Sequence, residues 1–225
     1  GYGESLGEYQ EDASHPLAGA RTVADIEAFD WPDPAAIDTA GLREEAVKWK
    51  GYPILGAYSE PFYLYCRLRG MEQAMEDLVT EPALAEAILE HIFQFDYTLI
   101  ARVLREAGDL VDLIYVAEDL GMQHSLLLSP RTIRKLLLPR MTRIIELVHS
   151  CGKHVFHHDD GAIRLIIPDL LDAGIDILNP IQWRCKGMER EALARDFGAR
   201  VVFHGGMDNQ QTMPFHTPEQ IREEV

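Results

Sequence analysis

Five times along this chain a short β-branched or aromatic run gives way to a stretch with helical spacing, and nothing constrains the fold more. The runs are Pro53–Tyr58, Asp112–Val116, Lys153–His157, Ile175–Leu178 and Arg200–His204. Helices are expected over about Pro61–Val79, Ala83–Ala107, Ser129–Ser150, Ala162–Asp172 and Met188–Phe197. In the longest, Leu84, Ile88, Ile92, Phe95, Leu99 and Val103 recur at three-to-four spacing, the mark of one buried face. Stops and starts agree: Gly108, Gly152, Gly174 and Gly198 follow helical runs, Ser129-Pro130 reads as a cap, and Thr217-Pro218-Glu219-Gln220 as a capping box. Alternation this regular predicts a parallel α/β sheet.

Upstream, residues 1–36 are rich in Gly, Pro and acids, and Trp31-Pro32-Asp33-Pro34 reads as irregular chain. Only Thr22–Phe29 looks helical there, followed by an amphipathic Asp38–Lys50. We read 1–36 as an irregular N-terminal segment of the same domain and 37–225 as its α/β body. The chain opens on Gly-Tyr-Gly without Met, which suggests an excised or processed piece.

Charge and thiols narrow the function. With 37 acidic against 21 basic residues the net charge is −16, and no Lys/Arg cluster offsets it, so nucleic acid is not an expected partner. No run of about 18 apolar residues exists to span a membrane. The three cysteines, Cys66, Cys151 and Cys185, are far apart with no CxxC, which points to reduced thiols and a cytoplasmic protein.

No glycine-rich phosphate loop follows any strand, which argues against dinucleotide binding. Polar residues instead follow strand after strand: Ser59 and Glu60, Glu118 and Asp119, His158 and Asp160, Asn179 and Gln182, His204 and Asp208. One crevice does not need groups from so many strands; a barrel does, because its strand ends ring one mouth. We therefore expect a (β/α)8 TIM barrel, incomplete here, with about five strands in the chain and the others before residue 1 and after Val225.

The densest tip is His154-Val-Phe-His-His-Asp-Asp-Gly-Ala-Ile163. Ionisable groups there are costly to desolvate unless they bind something. Alternation puts His158 and Asp160 on one side and His157 and Asp159 on the other. His158 and Asp160 suit a metal or an acceptor; the plainer reading is a hydrogen-bonded loop anchor. Glu118 and Asp119 can serve acid–base chemistry or metal binding, or cap a turn. Asn179 and Gln182 can contact a ligand or satisfy loop carbonyls. His204 precedes Gly205-Gly206, where backbone can approach a ligand, and Asp208 follows. Arg67 can grip a carboxylate or form a surface salt bridge.

The chain resembles the uroporphyrinogen decarboxylase superfamily. The resemblance rests on His15-Pro16-Leu17-Ala18 with Trp31-Pro32-Asp33-Pro34, Glu118-Asp119-Leu120-Gly121-Met122-Gln123, Ile166-Ile167-Pro168-Asp169-Leu170, Ile177-Leu178-Asn179-Pro180-Ile181-Gln182, Gly205-Gly206-Met207-Asp208 and Thr217-Pro218-Glu219. It implies a (β/α)8 barrel and two branches: cofactor-free decarboxylases of uroporphyrinogen in porphyrin (haem) biosynthesis, and methyltransferases exchanging methyl groups with a corrinoid (cobalamin), often using zinc to activate a thiol. Of the decarboxylase pattern, Gly56, Pro61, Phe62 and Leu64 fit, but Tyr63 replaces Thr and Arg67 replaces the substrate-binding Tyr. In place of the methyltransferases' His-x-Cys-Gly stands His158-Asp159-Asp160-Gly161, a carboxylate for the thiolate, and the family's third ligand would lie beyond Val225. His149-Ser150-Cys151-Gly152 spells the zinc pattern at the wrong end of the barrel and reads better as a helix stop.

The resemblance thus implies a corrinoid-linked methyltransferase, acting on a small molecule or a corrinoid protein, with a homodimer as the family's habit. The catalytic candidates are His158, Asp160, Glu118 and Asp119, with His158 and Asp160 as metal ligands. The substrate-binding candidates are Tyr58, Glu60, Arg67, Gln123, Asn179, Gln182, His204 and Asp208. A true decarboxylase, or a non-catalytic tetrapyrrole-binding module, are the alternatives.

Overall fold

The computed structural model describes residues 14–224. Five strands, β1 (Leu55–Ser59), β2 (Leu113–Ala117), β3 (His154–His158), β4 (Ile177–Asn179) and β5 (Val202–Phe203), pair in parallel in sequential order. Neighbouring strands joined in sequence order through helices form an arc of a (β/α)8 barrel.

Register decides which residues face where. Tyr58, Tyr115, Phe156, Ile177 and Val202 make one cross-strand row on the inner face. Ser59, Val116, His157, Leu178 and Phe203 make the next row, which turns toward the helices. One step further, Ala117, His158 and Asn179 return to the inner face at the strand tips.

The Pro82–Ala107 helix packs against β1, and the Leu138–Ser150 helix against β2 and β3. The long helix buries Leu84, Ile88, Ile92 and Val103 of the stripe its spacing suggests, but not its middle. Phe95 and Leu99 are only half-buried, while Phe93, Asp96 and Ile100 turn inward. The reason is local: Asp96 accepts a hydrogen bond from the buried Ser59 hydroxyl at 2.7 Å, drawing that face onto β1.

Other boundaries shift for physical reasons. The helix expected over Pro61–Val79 breaks at Gly70, whose φ of +88° is left-handed, into Pro61–Arg69 and Met71–Thr80. The helix after Ser129 begins at Pro130, with the Ser129 hydroxyl accepting from Thr132 N–H, but widens to a π turn over Ile133–Leu137. The wide turn precedes Pro139, which has no N–H and whose ring would meet the carbonyl four residues back. The helix expected from Ala162 starts only at Ile167. The Thr217 capping box forms, with Thr217 N–H on Gln220 Oε1 at 2.9 Å.

The expected irregular segment is described from residue 14 onward; residues 1–13 of it lie outside the described residues. Its Val23–Glu27 helix buries Ile26 and packs on the long helix. Residues 17–20 are fastened by buried Arg69, whose Nη1 donates to the carbonyls of Leu17 and Ala20 while its Nε meets Asp77 at 2.6 Å. Among the described residues no helix is long and apolar enough to cross a membrane.

Candidate metal centre at the strand tips

The backbone ladder continues past the strand ends: Glu118 N–H donates to His158 O, and Asp159 N–H to Asn179 O. Alternation therefore continues too. Asp119, His158 and Asp160 point inward together, with one ligand atom from each lying within 4.8 Å of the others. Glu118 and Asp159 point the other way and are buried. The two acids 118 and 119, taken together as catalytic from sequence, are thus separated by the pleat. Glu118 does not join the cluster: its Oε2 accepts the Phe62 N–H at 2.9 Å, at the start of the Pro61–Arg69 helix.

Each inward ligand has a neighbour that holds it. His158 Nδ1 donates to Asn179 Oδ1 at 2.8 Å, since Asn179 Nδ2 is spent on His204 Nδ1 at 2.8 Å. The other ring nitrogen, Nε2, is left facing Asp119 Oδ1 at 3.7 Å. Asp160 Oδ1 accepts from Gln182 Nε2 at 2.8 Å, and Gln182 Oε1 accepts from Gly161 N–H at 2.9 Å. Asp119 is held through its neighbour, for Leu120 N–H donates to Asp159 Oδ1 at 2.8 Å. Asn179, Gln182 and His204, expected to touch substrate, are engaged in orienting the inward side chains.

The electrostatics favour a cation. Burial raises the Asp160 carboxyl above its ordinary range, and Asp119 adds to this while His158 opposes it. Glu60, at the tip of β1, is raised by burial and again by Asp119. Tyr115 lies beneath, its ring 5.7 Å from that of His158 and 5.8 Å from Phe156. Burial, with Glu60, Asp119 and Asp160 close by, pushes its phenol up to about 12. Carboxylates this close repel one another, and a divalent ion would relieve that repulsion. The donor set, two carboxylates and an imidazole in mutual reach, fits such an ion and favours a harder metal than a thiolate site would.

The remaining candidates disperse. Asp208 is buried and is not one of the three clustered ligands, its carboxylate accepting the N–H groups of Gln210, Gln211 and Thr212 and pairing with Arg184. Those backbone donors and Arg184 outweigh its burial and hold it at about 2, and it anchors a turn. Tyr58 stands on the inner face, mostly exposed. Gln123 takes the Cys185 thiol at 3.6 Å, as does Gln182. Cys185 sits in the loop that carries Gln182, and burial followed by Asp160 raises its thiol, so it remains protonated. Neither it nor Tyr115 was marked by any motif; strand register places Tyr115, and the loop after β4 places Cys185. Arg67 lines a cavity of about 510 Å³ with His15, Phe62, Tyr63, Cys66, Met71, Leu127 and Asp119. The cavity therefore opens directly beside the cluster.

The look-alike His149-Ser150-Cys151-Gly152 lies at the opposite end of the strands. His149 closes its helix and pairs with Asp176 at 2.9 Å, and Gly152 takes a φ of +69° at the helix stop.

A parallel α/β barrel with a carboxylate–imidazole cluster at the carboxyl ends of its strands is the class these features define. The sequence profile of the Uroporphyrinogen decarboxylase (URO-D) family matches residues 9–225, and the chain belongs to that family. Among solved structures it is similar to a methyltransferase from Methanosarcina mazei, at 19% identity and a TM-score of 0.63, over 94% of this chain and 60% of that one. The chain thus spans about three fifths of that relative's length, and the likeness is one of fold. None of the curated proteins matches it.

Proposed function

We propose that this chain carries the metal-binding half of a methyltransferase site, in an enzyme that exchanges a methyl group with a corrinoid. The observation that carries the reading is the convergence of Asp119, His158 and Asp160 within 4.8 Å, each oriented by its own partner. Asp119, His158 and Asp160 would hold a divalent metal ion, zinc among the choices. Bound there, the ion would supply Lewis acidity to a methyl acceptor. The protein's own residues do the rest. Asn179 fixes the imidazole tautomer, Gln182 fixes one oxygen of Asp160, and the cavity beside Asp119 gives the acceptor room. Glu60, raised by burial, is the acid best placed to exchange a proton there. The absence of any disulfide among the described residues, with Cys66, Cys151 and Cys185 all free, supports a cytoplasmic setting.

Elemental analysis of the full-length protein, together with methylcobalamin turnover on thiol and small-molecule acceptors, tests the reading. We expect about one divalent ion per chain, lost with activity in His158→Ala. A protein free of metal, with activity unchanged in His158→Ala, removes the metal role.

Decarboxylation of an acidic tetrapyrrole is the second reading, supported by Arg67 and His15 lining the cavity beside Asp119. Formation of coproporphyrinogen without added metal or corrinoid would select it.

A further inference from the structure

Behind the inward cluster lies a second pair that the function above does not use. His157 and Asp159 are both fully buried on the helix-facing side of β3, and His157 stands between Val116 and Leu178 on the neighbouring strands. His157 Nδ1 donates to Val116 O at 2.6 Å, so its Nε2 is the free ring position. That Nε2 faces Asp159 Oδ2 at 3.7 Å, and neither atom has a hydrogen-bond partner. Contact between the two is attractive only with one proton between them. A buried polar pair is costlier than apolar side chains of the same size, so packing does not account for it.

Its bonds show what it does. Both residues reach from β3 across to the chain of β2: His157 to Val116 O, Asp159 to Leu120 N–H. Beyond them the two tip loops cross at Gly121 and Gly161, where a Cβ on Gly121 would come 2.8 Å from Ala162 N, and one on Gly161 within 2.6 Å of Gly121 O. The strand ladder ends at Glu118 N–H on His158 O, and the crossing is tied by Ala162 N–H on Met122 O at 2.8 Å. Asp119 and Asp160 lie in the interval between these ties. The Leu120–Asp159 bond spans that interval.

We propose that His157 and Asp159 are positioning residues, a buried brace that sets the distance between Asp119 on one loop and His158 with Asp160 on the other. The brace would fix the size of the cation site, and this inference rests on the metal reading above. Its lever is Asp159: one carboxylate oxygen holds Leu120 N–H and the other faces His157 Nε2.

Cobalt(II) titration of the full-length protein, followed by visible absorbance, tests it. Asp159→Asn keeps an acceptor for Leu120 and turns an N–H toward Nε2, so affinity and spectrum should match wild type. Asp159→Leu keeps the volume and removes the Leu120 bond and the contact with His157; cobalt should bind ten- to a hundredfold more weakly with an altered spectrum. His157→Leu, which leaves Asp159 unbraced, should fall between, and it serves if Asp159→Leu does not fold. A folded Asp159→Leu with the wild-type affinity and spectrum overturns the proposal. So does Asp159→Asn losing as much as Asp159→Leu. Asp119→Asn is the control: if it binds cobalt as wild type does, the metal reading itself falls. If Asp119→Asn loses cobalt and Asp159→Leu does not, only the brace is refuted.

Discussion

His158 Nδ1 donates to Asn179 Oδ1 at 2.8 Å across the β3–β4 pair, and this bond decides which ring nitrogen looks into the barrel mouth. The amide cannot turn over, because its Nδ2 also donates to the His204 carbonyl at 3.3 Å, which can only accept. Nε2 is therefore the ring nitrogen that faces Asp119, 3.7 Å away. A ligand imidazole whose other nitrogen is hydrogen-bonded is held in both tautomer and orientation.

Asn179→Leu should therefore weaken metal binding about ten- to a hundredfold while leaving the ligands in place. Asn179→Asp retains the acceptor for Nδ1 and should lose far less. Metal affinity of the two variants, measured by competition with a chromophoric chelator, checks the order; equal losses would mean that the tautomer lock is not what Asn179 provides.

Gly161→Ala should destabilise the fold by about 3 kcal/mol or more, through left-handed strain added to a backbone clash. Gly161 has a φ of +86° and its Cβ would lie 2.6 Å from Gly121 O and 2.8 Å from Met122 N, both backbone atoms. At about 2–4 °C per kcal/mol for a chain of this size, the melting temperature should drop by roughly 6–12 °C. Calorimetry of the variant beside Gly152→Ala, at a helix stop with open space around its Cβ, separates the clash from the φ penalty.

Asp77→Ala should cost about 3–5 kcal/mol, because it strands the buried Arg69 guanidinium without its carboxylate. Arg69 also donates to Leu17 O and Ala20 O, so the N-terminal strap should loosen with it. Replacing both, Arg69→Met with Asp77→Leu, should recover part of the loss, since an apolar pair needs no compensation. Urea unfolding of the three proteins gives the comparison; a double variant worse than Asp77→Ala would contradict the account.

Stability should fall as pH rises from about 4 to 6, in part through Asp96. Burial pushes its carboxyl up to about 6, against hydrogen bonds from Ser59 and Glu60 that lower it. The folded protein then holds a proton that the unfolded chain releases near 4, so the stabilisation is full below that pH and is lost as pH passes 6. The two-unit gap corresponds to up to about 3 kcal/mol. Fully buried Glu118 acts in the same direction. Melting temperatures of wild type and Asp96→Asn across pH 4–7 test this: the variant should show the shallower slope.

Much of the site was legible because its signals are local. The polar tips after each strand, the carboxylate where a thiolate is expected at Asp160, and the look-alike at His149–Gly152 can all be judged from letters and strand polarity. The rule that separated His158 from His157 applies equally to Glu118 and Asp119, and carrying the pleat one residue past β2 would have divided those two as well. Asn179 and Gln182 were visible as polar residues, but their roles depend on which neighbour each reaches across the sheet. Asp208 looked available because nothing in its own sequence shows that three backbone N–H groups and Arg184 surround it.

Hydrophobic period, glycine stops and capping residues act over a few positions, so the sequence by itself determined the strand–helix order, the parallel arc and the end of the strands where polar groups collect. The tertiary structure alone decided which of those groups meet. Asp119 comes within 4.8 Å of His158 and Asp160 because the β2 and β3 loops cross where both lack a side chain. That approach is fixed by register and by contacts some forty residues apart, and no local pattern encodes it.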